Sequence, residues 1–243
     1  MNLTQQTILI TGATSGIGLH LASRLHQLGN QVIACGRNQQ QLDQVATEHA
    51  GMITYLCDIT DDSQRRDLAN WATTHYPTLN MVINNAGIMQ QFDLTQSVDS
   101  TKVMTELVTN VLAPIHLGSL FIEHLQRQSV AALVNVSSGL AFTPLASVPV
   151  YCATKAALHS FCLSQRHQLR NTSVRVFEII PPAVGTNLGH QDDYDNSKDE
   201  LMPMNDFIDA VINALQTDTY EAAIGAADYL RQERDAVFDL INP

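Results

Sequence analysis

Residues 11–18, Thr-Gly-Ala-Thr-Ser-Gly-Ile-Gly, follow directly on the apolar run of residues 7–11, which predicts a β-strand. Apolar residues at helical spacing begin at Leu19, so the order is strand, glycine-rich turn, helix. Glycines at positions 12, 16 and 18 permit a tight turn and a close approach of phosphate groups, to which a helix N-terminus offers free N–H groups. The stretch predicts a dinucleotide-binding turn; an ordinary tight strand–helix turn is the alternative.

Short apolar runs alternate with helical stretches along the rest of the chain. Strands are predicted at residues 7–11, 31–35, 53–57, 81–84, 131–136, 174–180 and 221–224, and the longest helices at 100–127 and 150–169. Strands that alternate with helices form parallel sheets with helices on both faces. We predict an α/β fold, a doubly wound parallel sheet in a single domain over residues 1–243, with residues 181–203 as a long functional loop.

The composition limits the classes of function. Of the 243 residues, 45% are hydrophobic and 15% are charged, which is typical of a folded globular chain. The formal net charge of −11 argues against nucleic acid or an anionic membrane surface as the partner. No run approaches the ~18 unbroken apolar residues of a membrane helix. No basic residue precedes the first apolar run, so we expect no signal peptide.

The four cysteines and nine histidines lack the spacing of a disulfide framework or a metal site. We therefore expect reduced thiols, a cytoplasmic protein and no bound metal.

The second predicted strand ends in Cys35-Gly36-Arg37. A site for NAD often has a carboxylate at this place, which holds the ribose 2′-hydroxyl. Gly36 and Arg37 offer no carboxylate, whereas a guanidinium can pair bidentately with a 2′-phosphate. Arg37 thus favours NADP(H) over NAD(H) as the cofactor; a solvated surface arginine is the alternative.

Tyr151 and Lys155 are four residues apart in a predicted helix, so they share one face of it. A free tyrosine has a pKa near ~10, too high for proton transfer at neutral pH, and a neighbouring cation lowers that pKa. The pair predicts a general acid–base group, although the same spacing also arises by chance.

Two strand ends carry polar residues at the edge where parallel sheets bind ligands. Ser137 and Ser138 follow one strand, and a hydroxyl there can hydrogen-bond a carbonyl oxygen of a substrate. Asn84-Asn85-Ala86-Gly87 ends another strand, and Asn110 lies among apolar residues of the long helix. The structural alternatives are a capping or turn serine and asparagines that organise backbone or water.

In their order along the chain, these motifs resemble those of the short-chain dehydrogenase/reductases of about this length. The resemblance covers residues 7–186, and residues 152–159 and 181–186 look most similar to the DltE-like branch. It rests on Thr11-Gly-x-x-x-Gly-x-Gly18, Asp58, Asn84-Asn-Ala-Gly87, Asn110, Ser138 and Tyr151-x-x-x-Lys155. Ser138 precedes Tyr151 by thirteen residues, the usual family spacing, which selects it over Ser137. The resemblance implies a Rossmann-like fold.

The resemblance also implies roles in a reaction. Tyr151 would donate a proton to a carbonyl oxygen or remove one from an alcohol, and Ser138 would hydrogen-bond the same oxygen. Lys155 would lower the tyrosine pKa and hold the nicotinamide ribose. Asn110 would position a water in a proton relay through Lys155.

The cofactor contacts implied by the resemblance lie on four loops. Asp58 would hold the adenine amino group, Asn84 and Gly87 would shape the floor beneath the cofactor, and Thr186 would contact the nicotinamide carboxamide. The implied set is Gly12, Thr14, Ser15, Gly16, Ile17, Gly18, Arg37, Asp58, Ile59, Asn84, Ala86, Gly87, Tyr151, Lys155, Val184 and Thr186. The family usually has Pro-Gly where this chain has Pro181-Pro182, which makes a stiffer turn.

We therefore expect an NADP(H)-dependent oxidoreductase that transfers a hydride between the cofactor and a small carbonyl or alcohol substrate. A non-catalytic NADP(H)-binding regulatory or interaction protein is the alternative, and it has no need of the complete set Asn110, Ser138, Tyr151 and Lys155. A sugar-nucleotide epimerase or dehydratase would ordinarily need a longer chain. Family members usually form a homodimer or homotetramer through the helices around Asn110 and Tyr151. Residues 192–195 are either loop surface or part of a lid over the substrate.

Overall fold

Seven strands, all parallel, form one sheet in this computed structural model, which describes residues 1–186, 188 and 201–243. The strands are β1 (Thr7–Thr11), β2 (Gln31–Gly36), β3 (Ile53–Leu56), β4 (Leu79–Asn84), β5 (Ala131–Val136), β6 (Val174–Ile180) and β7 (Glu221–Ala223). Their order in the sheet is β3-β2-β1-β4-β5-β6-β7. The predicted α/β fold with a doubly wound parallel sheet is confirmed, and most of residues 187–200, including 192–195, lie outside the described residues.

The helices cover both faces of the sheet. They are α1 (Gly16–Gln27), α2 (Gln39–Glu48), α3 (Asp62–His75), α4 (Ser100–Leu107), α5 (Ala113–Gln126), α6 (Pro149–Leu169), α7 (Met204–Gln216), α8 (Ala226–Glu233) and α9 (Phe238–Ile241). Short 3₁₀ segments at Gly139–Ala141 and Arg234–Val237 precede α6 and α9, and a π-helical segment at Val108–Leu112 joins α4 to α5.

Alternate residues of the central strands supply two separate cores. Ile8 and Ile10 of β1 lie in the core formed with α1 and α7, whereas Leu9 lies in the core formed with α3 and α5. Both cores are buried because successive side chains of a strand point to opposite faces and helices cover each face. This explains why the central strands are nearly continuous apolar runs.

The predicted elements agree with the observed ones except in two places. The strands match to within two residues at either end. The helix predicted at 100–127 is α4, the π-helical segment and α5, and the helices after residue 224 were not predicted. The helical run Ser100–Gln126 is long and apolar enough to span a membrane by length and composition. This is weak support for a span, because Leu117 and Phe121 pack in the core against the sheet, and core helices pass the same test.

The sheet places the functional residues at one crevice. Because β1 pairs with β2 on one side and β4 on the other, the strand order reverses between β1 and β4. Such switch points, outside the carboxyl ends of the strands, are where open α/β sheets bind ligands.

Candidate functional site

The glycine-rich turn after β1 closes against the segment that follows β4. Gly12 and Gly16 have φ values of +65° and +51°, in the left-handed region that glycine adopts freely. A Cβ atom on Gly18 would lie 2.2 Å from the Gly12 carbonyl oxygen, and one on Gly12 would lie 2.8 Å from Ala86 Cα. The turn therefore fits only without side chains at these positions, and it presents the N-terminus of α1 to the crevice.

Two residues outside the predicted set of cofactor contacts hold this turn in place, one of them an asparagine of the motif after β4 for which organising backbone was the structural alternative. Asn85 Nδ2 donates to the carbonyl oxygens of Thr11, at 3.0 Å, and Gly12, at 3.2 Å. Thr11 Oγ1 accepts from the backbone N–H groups of Asn85, at 3.1 Å, and Ala86, at 3.2 Å. Both residues stand inside the quoted motifs, so the signal was present in the sequence.

Asn84 lies deeper than its implied role requires. Its Nδ2 donates to Asn135 Oδ1 at 2.9 Å and to the Pro114 carbonyl oxygen at 3.4 Å. The side chain is buried in the fold, and within the described ranges its Oδ1 has no hydrogen-bond partner. The floor of the crevice is formed by Gly87 instead, where a Cβ atom would lie 3.5 Å from Lys155 Nζ.

Arg37 extends from the end of β2 into solvent. It makes no ion pair with any residue that the structure describes. A Cβ atom on Gly36 would lie 2.6 Å from Thr14 Cγ2, so the chain before Arg37 packs directly on the glycine-rich turn. The guanidinium is thus unpaired beside the turn.

The other predicted cofactor contacts lie around the same crevice. One carboxylate oxygen of Asp58 accepts from the backbone N–H and the hydroxyl of Thr60, at 2.9 and 2.8 Å, and the next residue, Ile59, is buried. Val184 pairs with Met202, and the Thr186 side chain lies 3.4 Å from the Cβ position of Gly16. Ser15 and Ile17 belong to the turn and the first residues of α1.

Ser137 and Ser138 point to different partners. Ser138 lies near Tyr151 and acts to lower the pKa of its phenol, and the Ser138 hydroxyl accepts from the backbone N–H of Leu140 at 3.1 Å. The Ser137 hydroxyl instead donates to Glu178 Oε1 at 2.5 Å. The structure thus brings Ser138, and not Ser137, to Tyr151.

Lys155 lies directly under Tyr151 on α6. Its Nζ donates to the Val136 carbonyl oxygen at 2.8 Å and lies 5.5 Å from the centroid of the Tyr151 ring. Only 4% of the residue is exposed. Burial lowers the pKa of Lys155 to about 8, because the cationic form loses its hydration.

The pKa of Tyr151 departs from its ordinary value in the direction opposite to the one predicted. Burial raises it, and the neighbouring Ser138 offsets only part of that rise. The reason is that the phenolate would lose its hydration, while the Lys155 ammonium is directed at the Val136 carbonyl oxygen. Tyr151 is therefore held as a neutral phenol, the form that donates a proton.

Asn110 lies in the π-helical segment and holds the chain that follows β4. Its Oδ1 accepts from the Ile88 N–H at 2.9 Å, and its Nδ2 donates to the Ile88 carbonyl oxygen at 2.8 Å and to Thr154 Oγ1 at 3.0 Å. Single π-turns inside helices are frequent at functional sites. The extra residue in the turn is the reason that α4 and α5 are not one regular helix.

Glu106 and Glu178 are two fully buried carboxylates beside Lys155, and the sequence analysis missed both. Glu106 accepts from the Gln90 N–H at 3.3 Å through Oε1, while within the described segments its Oε2 has no hydrogen-bond partner. Burial raises the pKa of Glu106 to about 7. Glu178 lies on β6 and faces α6.

His159, Glu178 and Glu221 bring three potential metal-ligand atoms within 4.8 Å of one another. Glu221, however, accepts from Arg231 Nε at 2.6 Å and lies 3.6 Å from Arg166 Nη1. Because two guanidinium groups already contact Glu221, we assign no metal to this cluster.

Known proteins share both the sequence and the fold described above. A family model described as short chain dehydrogenase matches residues 6–197. The uncharacterized oxidoreductase DltE of Bacillus subtilis is 45% identical over 251 residues, which cover 100% of this chain and 98% of that protein. L-xylulose reductase of Caenorhabditis elegans is 32% identical and covers 88% of either chain.

Among solved structures, a short chain dehydrogenase from Burkholderia cenocepacia in complex with NADP superposes with a TM-score of 0.84 at 25% identity. The match covers 96% of this chain and 94% of that one. The resemblance inferred from the motifs, including that to the DltE-like branch, is confirmed.

Proposed function

This chain belongs to the short-chain dehydrogenase family, and from that membership we propose that it is an NADP(H)-dependent oxidoreductase that interconverts a carbonyl group and an alcohol. The observation that carries the proposal is the arrangement of Ser138, Tyr151 and Lys155. Ser138 lies near the phenol and acts to lower its pKa, and the centroid of the phenol ring lies 5.5 Å from the buried Lys155 ammonium. The three residues stand together at the carboxyl edge of the sheet.

The residues around the glycine-rich turn fit a dinucleotide. Backbone atoms fill the space that a Cβ atom on Gly12 or Gly18 would need, so the turn can be this tight only with glycine. A tight turn at the start of α1 leaves its first N–H groups free to bind phosphates. Arg37 is exposed at the end of β2 and has no ion-pair partner among the described residues, and a guanidinium can pair with a 2′-phosphate, which supports NADP(H) over NAD(H). The Burkholderia cenocepacia structure, at 25% identity, was solved with NADP.

The proton chemistry follows from the protonation states of the two buried groups. The nicotinamide supplies or accepts the hydride when it is bound. Tyr151, held as a neutral phenol by burial, donates its proton to the carbonyl oxygen of the substrate in reduction. Ser138 donates a hydrogen bond to the same oxygen and stabilises its developing charge. Lys155, with a pKa lowered to about 8, carries a positive charge at neutral pH and compensates the charge that forms on the phenol.

Asn110 keeps the floor of the crevice in position. Both hydrogen-bonding groups of its amide are used by the backbone of Ile88, so it fixes the segment after Gly87. The role that the family resemblance implies for Asn110, to position a water in a proton relay through Lys155, is part of this proposal.

The test is oxidation of NADPH and NADH by the purified protein with a panel of aldehydes and ketones. Ketoses belong in the panel because a relative is named L-xylulose reductase. Tyr151→Phe should lower kcat/KM by about 10²–10⁴-fold, the usual contribution of a general acid. Tyr229→Phe, at a residue that is 50% exposed, is the matched control and should leave turnover unchanged.

Turnover that survives in Tyr151→Phe would refute the catalytic assignment. A protein that binds NADPH, measured as a rise in melting temperature, but turns over no member of the panel would favour the alternative of a non-catalytic binding protein.

We also propose that residues 1–243 act as one cytoplasmic domain and assemble as a homodimer or homotetramer. The supporting observation is an exposed apolar face on the helices around Asn110 and Tyr151. It comprises Met104, Leu107, Leu112 and Leu163, which are 59%, 39%, 48% and 46% exposed. Such a face is typical of a subunit contact.

A further inference from the structure

Glu178 is a buried charged residue for which the proposed reaction has no use. It stands in the middle of β6, opposite Asn135 of β5, and none of its surface is exposed. Ser137 donates to its Oε1 at 2.5 Å, and His159 Nδ1 lies 2.9 Å from its Oε2. Both carboxylate oxygens are thus fixed, yet a buried carboxylate remains costly unless a cation is near.

Three residues, Val136, Ser137 and His159, connect this carboxylate to Lys155. His159 is one helical turn after Lys155 on α6, so their side chains are neighbours on one face. Lys155 donates to the carbonyl oxygen of Val136, and the next residue, Ser137, donates to Glu178. The ammonium and the carboxylate are therefore held by two consecutive residues, Val136 at the end of β5 and Ser137 directly after it.

We propose that Glu178 is the buried counter-charge that keeps the Lys155 ammonium cationic, and that it is, on the proposed function, a positioning residue of the Tyr151–Lys155 pair. Glu178 touches neither the phenol nor the substrate position; it acts through the lysine.

The charges around Lys155 support this role. Burial lowers the pKa of Lys155, and Cys162 of α6, Glu178 of β6 and Glu106 of α4 each raise it in part. Removing the negative charge of Glu178 leaves the desolvation of the ammonium less opposed, so the pKa should fall further. Glu106 is a poorer probe of Lys155, because it also raises the pKa of Tyr151.

The other ionisable groups that face Glu178 come from α6 and β7. His159 contacts it from α6, and Glu221 of β7 is close to both. Glu221 is balanced by Arg231 and Arg166, so these two guanidinium groups have a carboxylate of their own.

A direct test is a pH titration of the lysine side chains by NMR in the full-length protein. The chain has only three lysines, Lys102, Lys155 and Lys198, so ¹³Cε labels give three signals, and Lys102→Arg and Lys198→Arg assign them. In wild type we expect the Lys155 midpoint near pH 8. Glu178→Gln keeps an acceptor for Ser137 but removes the charge, and should lower the midpoint by about one unit. Glu178→Asp keeps the negative charge, so its Lys155 midpoint should be close to the wild-type value.

Glu123→Gln, at an exposed carboxylate, is the control and should leave the midpoint in place. A Lys155 midpoint that does not move in Glu178→Gln would overturn the proposal, as would a wild-type midpoint below 7. If the Glu178→Gln protein does not fold, the wild-type titration still tests the proposal, because a Lys155 midpoint below 7 would show that no counter-charge keeps the ammonium cationic.

The enzymatic readout is the alkaline limb of the pH profile of kcat/KM. Because the cationic lysine is the working form, a lower pKa should move this limb to lower pH by the same amount, about tenfold in proton concentration. A limb that stays in place while the NMR midpoint moves would refute the positioning role. Wild-type protein without any turnover would refute the proposed function, while the NMR titration would still decide the counter-charge.

Discussion

The two halves of the sheet's carboxyl edge are built by different means. The half at β1 and β4 is built from backbone: the glycine-rich turn packs against Ala86, and Asn85 ties it down through carbonyl oxygens. The half at β5 and β6 is built from buried polar and charged side chains, in which Ser138, Tyr151 and Lys155 stand above Glu178. The first half depends on the close packing of backbone atoms, and the second half depends on buried charges.

The difference decides how each half can be broken. A half made of close backbone contacts has no room for an added methyl group, so such a substitution should disrupt ligand binding at any pH. A half made of buried charges should respond to the loss of a charge even when the shape of the side chain is kept. The effect on its stability and activity should depend on pH.

The largest effect is expected in the backbone half, from Gly18→Ala. The new methyl group would lie 2.2 Å from the Gly12 carbonyl oxygen and 2.4 Å from Asn85 Nδ2, so the turn must shift. We expect NADPH affinity to fall at least about 100-fold, because the N–H groups that would bind the phosphates move with the turn. Isothermal titration calorimetry measures the affinity.

Gly118→Ala is the matched control, since Gly118 is also buried and helical. A Cβ atom there would lie 3.2 Å from the flexible end of the Gln165 side chain and at an ordinary 3.9 Å from Leu133 Cδ1. This variant should keep NADPH affinity. Equal affinities in the two variants would show that the turn is not the binding site.

The backbone half and the sheet were predictable from the sequence because their signals are local. A glycine pattern between a strand and a helix describes one turn, and alternating apolar runs describe the sheet. Ser138 also followed from its spacing to Tyr151. The sequence did not show how the two neighbouring asparagines differ. Asn85 donates to the glycine-rich turn, whereas Asn84 donates to Asn135 inside the fold.

The charged half was predictable only in part, because burial is a property of the tertiary structure. The sequence gives the proximity of Tyr151 and Lys155 but not the desolvation that raises the tyrosine pKa. Glu178 and Glu106 lie far from Lys155 along the chain, and no motif connects them. The one available signal for Glu178 was a carboxylate between Phe177 and Ile179 in a largely apolar strand.

Arg37→Leu should produce an intermediate effect, confined to the phosphate end of the backbone half. A charge-assisted hydrogen-bonded pair contributes about 1.5–3 kcal/mol, so the ratio of kcat/KM for NADPH to that for NADH should fall about 10- to 100-fold. The NADH value itself should barely change. Arg37→Lys keeps the charge without the bidentate geometry and should fall between the two.

Steady-state kinetics with both cofactors measures this ratio. A ratio that is the same in wild type and in Arg37→Leu would mean that the guanidinium is only a solvated surface group, and that the preference, if any, is set elsewhere in the crevice.

The smallest effect concerns the stability of the charged half, through Glu106. Its pKa in the folded protein, about 7, is above the ordinary value of 4.5. Between these two pH values the folded protein keeps a proton that the unfolded chain has lost, so the free energy of unfolding decreases as pH rises through this window. Glu106→Gln has no such proton and still accepts from Gln90. Its stability relative to wild type should therefore increase by about 1 kcal/mol between pH 5 and pH 8, after allowance for screening.

Urea denaturation at the two pH values measures the change, with Glu123→Gln, at an exposed carboxylate, as the control. The decisive quantity is the difference between the two pH values and not the stability at either one, because a packing defect would shift both equally. A stability difference between Glu106→Gln and wild type that is the same at pH 5 and pH 8 would mean that Glu106 ionises as it does in water. Its carboxylate would then add no electrostatic cost to the half of the edge that holds Tyr151 and Lys155.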